Sequence, residues 1–288
     1  MNDPVIRIPL GEWAADAIDW LTATFRAFFD LLKTALSGVF DVTADALTLP
    51  PFYVMAAILV AIAFLAKGWK LALGSAVGFT LIWSMDLWTS AMRTLALVLI
   101  ASAIALAIAI PLGIWASRNR TVSRIVRPIL DLMQTMPVFV YLLPAVTIFL
   151  TGPVPGIMAT IAFALAPGVR FTELGIRQVD REVVEAGEAF GSSRGRILRQ
   201  IQLPLAMPTI LAGVNQVIML ALSMVVIAGL VGAGGLGNDV VGATQRVQIG
   251  PGVEAGLAVV ILAIFLDRVT SALGERSPVA RARARAAS

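Results

Sequence analysis

The feature that most constrains this chain is a series of apolar stretches separated by short charged connections, most of them close to the ~20 residues needed to cross the hydrocarbon of a bilayer. No water reaches backbone N–H and C=O groups in lipid, so such stretches fold as helices that close their hydrogen bonds internally. Seven spans are expected, at residues 51–66, 69–87, 94–116, 129–150, 154–169, 208–228 and 253–272. The expected fold is an all-α integral membrane protein, with about seven transmembrane helices preceded by an amphipathic helix.

Composition narrows the chemistry. The 288 residues are 58% hydrophobic and 14% charged, and there is neither histidine nor cysteine, so imidazole and thiolate metal sites and most nucleophile–base pairs are excluded. No catalytic, metal or cofactor-binding residue is expected. The net charge of +4 does not point to nucleic acid, because the basic residues sit in the connections between apolar runs. With seven alternating spans, Lys67, Lys70, Arg118, Arg120, Arg124, Arg127, Arg170, Arg177, Arg181, Arg194, Arg196, Arg199, Arg268 and the tail arginines Arg276, Arg281, Arg283 and Arg285 share one side. Arg7, Arg26, Lys33, Arg93 and Arg246 share the other. The first side is expected to be cytoplasmic, with the amino terminus outside and the carboxy terminus inside. Residues 1–10 lack the basic start and apolar core of a cleavable signal peptide.

Three parts are expected: an amphipathic segment at 1–48, a membrane domain at 49–274 and a basic tail at 275–288. Between Glu12 and Asp41, polar residues recur at helical spacing opposite Trp13, Trp20, Phe25, Phe28, Leu32 and Phe40. Such a helix either lies in the membrane interface or packs against the spans. Gly74 and Gly78 suggest a close helix contact, Gly152–Pro155 a tight outer hairpin, and Gly232–Gly237 a re-entrant or capping turn. The glycine run is not a phosphate loop, because no Lys-Ser or Lys-Thr follows it. The prolines at 137, 144, 204 and 208 predict broken or kinked helices.

Residues 170–208 form a long charged connection, too polar for lipid and too rich in Glu, Ala and Arg for a random linker. It contains Glu185-Ala186-Gly187-Glu188-Ala189-Phe190-Gly191 and, nine residues on, Ile201-Gln202-Leu203-Pro204. The first stretch reads as a short helix with small faces, closed by a glycine able to turn left-handed, with Phe190 as an anchor. A basic helix carrying Arg194, Arg196 and Arg199 is expected next, before Leu203-Pro204 returns the chain to the membrane.

This pattern resembles the E-A-A, G, I-x-L-P signature of the permease subunits of bacterial ABC importers, departing at Gly187, where the signature has a second alanine. Asp131-Leu-Met-Gln134-Thr135-Met136-Pro137, Val140-Tyr141-Leu-Leu-Pro144, Gly213-Val-Asn215-Gln216, Ala221-Leu-Ser223-Met224-Val225-Val226, Gly232–Gly237 and Asp267-Arg268 are similar to the glycine betaine, proline betaine and choline importers. Departures fall at Ala166-Pro167 and Leu150-Thr151-Gly152.

The resemblance implies a type I importer permease fold and a multi-pass place in the bacterial inner membrane. It implies a cytoplasmic ABC ATPase, an external or periplasmic binding protein and a second copy of the chain as partners, with ATP used by the ATPase alone. Glu185, Ala186, Gly187, Ala189, Phe190, Gly191, Ile201, Leu203 and Pro204 would then couple to the ATPase. Gln134, Thr135, Met136, Asn215, Gln216 and Ser223 are candidates for the translocation path, although intramembrane polar groups of this kind also join helices by hydrogen bonds, the preferred role. Alternatives are an ABC permease for an amino acid such as methionine, or a secondary transporter acting alone.

Overall fold

The computed structural model describes residues 9–275, and every element among them is helical. Arg7 and the tail beyond residue 275 lie outside the described residues.

The amphipathic segment is two helices. α1 (Leu10–Thr24) buries no residue, whereas α2 (Arg26–Thr48) sinks Leu36, Phe40 and Ala44 into the bundle. Phe40 meets Ala96, Leu97 and Ala101, and the Arg93 guanidinium stands 5.9 Å from the centre of its ring. Of the two readings, packing against the spans describes α2. α2 and α3 (Phe52–Lys67) meet at 99° across Pro51, whose missing N–H and fixed φ favour a helix start there.

α3 and α4 (Trp69–Ser84) have 16 residues each, about 24 Å at 1.5 Å per residue, which is short of a ~30 Å hydrocarbon layer. They form a hairpin whose inner face continues an aromatic relay: Phe52 stacks on Trp83 at 5.1 Å and meets Trp88 edge-on at 4.8 Å, and Phe79 meets Phe265 at 5.1 Å. Gly78 makes the expected close contact, with Ile261 2.7 Å from where its Cβ would be, but Gly74 faces open space.

The centre is α5 (Trp88–Arg118) against α8 (Pro153–Arg177) and α11 (Leu203–Ser223), with α14 (Ile249–Glu275) alongside. Among the described residues, four helical runs are long and apolar enough to cross a membrane alone: 88–118, 153–177, 194–230 and 249–272. The bent pair formed by α2 and α3, and that formed by α6 (Arg120–Thr135) and α7 (Phe139–Phe149), raise this to six. The expected span at 129–150 is therefore not straight. α6 and α7 meet at 93° because Met136, before Pro137, is extended (φ −71°, ψ 137°), as the proline ring demands.

Two further expectations change. The turn expected at Gly152–Pro155 comes earlier, at Leu150–Gly152 (φ 64° and 126° at its ends), and Pro153 already opens α8. The glycine run ends in an unforeseen helix, α13 (Gly235–Gln245), packed against α12 (Val225–Leu230) and α14. Gly232, Gly234 and Gly235 all take positive φ, the Leu236 N–H donates to Thr94 Oγ1 at 2.9 Å, and a Cβ on Gly237 would lie 2.0 Å from the Val225 carbonyl oxygen.

Gly237→Ala is therefore expected to force α12 and α13 apart and cost about 1–3 kcal/mol or more. Gly242→Ala, which meets nothing within 4 Å on the same helix, should be neutral or slightly stabilising. Thermal unfolding in detergent compares the two.

Candidate coupling and translocation sites

The Glu185–Gly191 motif, the candidate for docking, folds as a short helix held by the turns that follow it. Asp180 caps α9 (Arg181–Ala189), its carboxylate accepting the Glu182 N–H at 3.0 Å. At the other end Gly191 takes φ 73°, and Gly191 and Ser192 return their N–H groups to Glu188 and Gly187 at 2.8 and 3.1 Å. The closing glycine thus stops the helix as its position in the motif predicts.

The Gly187 departure falls on the inner face of α9, where a second alanine would ask only a shift of the Ile201 side-chain end. Gly187 faces inward, and a Cβ there would meet Ile201 Cδ1 at 2.7 Å and Ile197 Cγ1 at 3.5 Å. Glu185, Ala186 and Ala189 are exposed, and Phe190 is 90% exposed, far outside the usual burial of a large aromatic ring. Behind α9 lies a cavity of about 500 Å³, walled by Ser117 and Ile176 on the bundle and by Arg181, Glu185 and Arg194 on the motif. α9 is held by the following turns and stands clear of the bundle end.

Those turns are not a separate basic helix. α10 (Arg194–Ile197) passes through a π-helical turn (Leu198–Gln202) directly into α11. The Leu203 N–H bonds to the Leu198 carbonyl, five residues back, and Pro204 and Pro208 supply no N–H for the next turns, so the helix widens instead of ending. Leu203 packs with Ile176 and Val179 at the root of α9.

The path candidates separate. Asn215 joins helices: its Nδ2 donates to Asp267 Oδ1 on α14 at 3.0 Å, and the Thr270 hydroxyl donates to its Oδ1. Gln216 and Ser223 are exposed seven residues apart, on one face of α11. Gln134 and Thr135 are also exposed, with Met136 half-buried, at the α6–α7 break. Val138 and Tyr141, just past that break, pack with Met224, which sits at the α11–α12 junction beside Ser223. The α6–α7 break thus meets the α11–α12 junction through one apolar cluster, flanked by Met136 and Ser223.

One polar centre escaped the sequence reading. Glu173 on α8 is 4% exposed; its Oε1 accepts Ser123 Oγ at 2.7 Å and Arg127 Nη2 at 3.0 Å from α6, and pairs with Arg177 Nε at 2.9 Å. Arg177 Nη2 also donates to the Ala116 carbonyl of α5 at 3.0 Å. Beside it Asp131 pairs with Arg170 in a more exposed position. The i, i+4 spacing of Glu173 and Arg177 is visible in the sequence, but the partners on α6 are not.

Residues 109–277 match the family described as binding-protein-dependent transport system inner membrane component. The chain belongs to this family. It is 49% identical over 268 residues, 93% of this chain and 95% of the relative, to the glycine betaine transport system permease protein OpuAB of Bacillus subtilis. It is 46% identical over 274 residues, 94% of this chain and 97% of the relative, to the glycine betaine/carnitine transport permease protein GbuB of Listeria monocytogenes. A solved inward-facing structure of the MetNI methionine ABC transporter matches 68% of this chain and 95% of its own with a TM-score of 0.58 at 22% identity. At that identity the match shows the fold, that of a type I importer permease.

Asn215→Ala, which removes the bridge from α11 to Asp267 and Thr270, is expected to cost about 0.6–2 kcal/mol. Gln216→Ala, at an exposed neighbour, should cost close to nothing. Unfolding of the two variants in mixed micelles checks the difference.

Proposed function

We propose that this family member is the membrane-spanning subunit of an ATP-driven importer of glycine betaine and related quaternary ammonium solutes. It works as a homodimer with two copies of a separate cytoplasmic ATPase and an external binding protein. The observation that carries the reading is α9: a capped helix with small exposed residues and Phe190 90% exposed, held clear of the bundle by a cavity that leaves it room to move. A surface aromatic of this kind, ringed by small residues, is what an interface anchor needs.

ATP binding would close the ATPases around α9, and the α6–α7 break at Met136 would let the path change from inward to outward access. The excess of Lys and Arg in the connections on the side of α9 supports a cytoplasmic position for that side. ATP is bound and hydrolysed by the partner. The relatives named for glycine betaine, at 46–49% identity over nearly the whole chain, favour that solute over methionine, for which the likeness is one of fold. Discrimination would reside in the binding protein, where aromatic faces attract a quaternary ammonium.

The test is uptake of labelled glycine betaine in cells without other betaine transporters, expressing this chain with its ATPase and binding protein. Uptake should require all three components and be competed by carnitine or choline. Gly191→Arg should abolish it, because a side chain at φ 73° costs about 1–2 kcal/mol and misplaces Phe190. Uptake by this chain alone would overturn the proposal in favour of a secondary transporter.

A further inference from the structure

Resting on the importer reading, we propose that Glu173 is the positioning residue that carries movement of α9 to the bent α6–α7 pair. α6 has one small apolar hold on the body, Leu130 with Val126 and Met133 in the cluster of Ala109, Ala166 and Val169, and its other buried residue, Ser123, is itself a partner of Glu173. Its polar attachments to α8 are Ser123 and Arg127 on Glu173, and Asp131 on Arg170. The last pair has side chains 66% and 41% exposed and is weakened by water and salt. Glu173 has a side chain only 5% exposed, and although Arg127 is 58% exposed, the buried carboxylate end is screened less than that of Asp131.

The same carboxylate is tied toward α9. Arg177, which it pairs, is the last residue of α8, and Val179 just beyond packs with Ile176 and Leu198 at the root of the docking helix. Asp180 then caps α9. A push on α9 reaches Glu173 through one short, packed segment and leaves through Arg127 into α6. α6 ends at the 93° break that holds Gln134, Thr135 and Met136. Glu173 touches neither the solute nor ATP; it acts through Arg127.

The experiment reconstitutes permease, ATPase and binding protein in vesicles and reads glycine betaine uptake and ATP hydrolysis in one preparation, per assembled complex. Arg127→Ala removes the ionic tie from α6 to Glu173 while leaving Glu173 paired with Arg177. Solute moved per ATP hydrolysed is expected to fall about ten-fold or more, the size of a typical coupling term. Arg127→Lys, which keeps a cation, should recover part of the ratio, and Arg124→Ala, exposed on the same helix, should keep the wild-type ratio. If Arg127→Ala does not assemble, Ser123→Ala is read in the same way, with a smaller fall expected. A wild-type ratio in Arg127→Ala, or equal losses of uptake and hydrolysis, would overturn the relay and leave the importer reading intact. A wild-type complex that moves no solute would sink both.

Discussion

The structure depends on how closely α5, α8 and α11 approach one another. Lipid offers no hydrophobic drive for helices to associate, so contact must come from packing of small residues. A Cβ on Gly113 would stand 2.8 Å from the Val169 carbonyl oxygen, one on Gly168 2.7 Å from Ala109 Cβ, and one on Gly213 2.5 Å from Phe171 Cβ. Ala101, Ala105 and Ala109 continue the seam on α5 with no exposed surface. α8 is thereby fixed along its length against both neighbours.

A rod held in this way has consequences at its ends. At one end, Gly152 donates its N–H to Val231 at 2.9 Å, which ties the α7–α8 turn to the glycine-rich turn before α13. At the other, α8 carries Glu173 and Arg177 and leads through Asp180 into α9. The parts with fewer packing partners are those that a transport cycle would have to move: α6, the α6–α7 break, and α9 over its cavity. A close-packed centre with looser, polar-tethered arms suits rigid-body rocking better than internal deformation of the centre.

Much of this was legible because membrane helices announce themselves locally. The apolar runs gave helices at all seven expected places, and the left-handed glycine at 191 followed from its place after Glu188-Ala189-Phe190. What the sequence hid was three-dimensional. An apolar count over residues 129–150 cannot see that Pro137 turns the chain by 93°. The 16-residue length of α3 was legible in the run at 51–66, whereas α4 ends at Ser84, three residues before the expected end of its span. α13 was hidden because its glycines and polar residues lack helical patterning, and packing against α12 and α14 overrides weak propensity. Asn215 was legible as helix glue, while Glu173 was not seen, because Ser123 and Arg127 lie across the fold and only the folded chain gathers them around one oxygen.

The central claim is that energy enters this chain through α9. Because the sequence contains no cysteine, Ala189→Cys is a unique site for a thiol-linked photo-crosslinker, and Val77→Cys, exposed on α4, is the matching control. In a complex competent for uptake, illumination is predicted to join position 189 to the ATPase and to leave position 77 without that product. Equal labelling at both positions, or no ATPase product from position 189 in a transporting complex, would contradict the account.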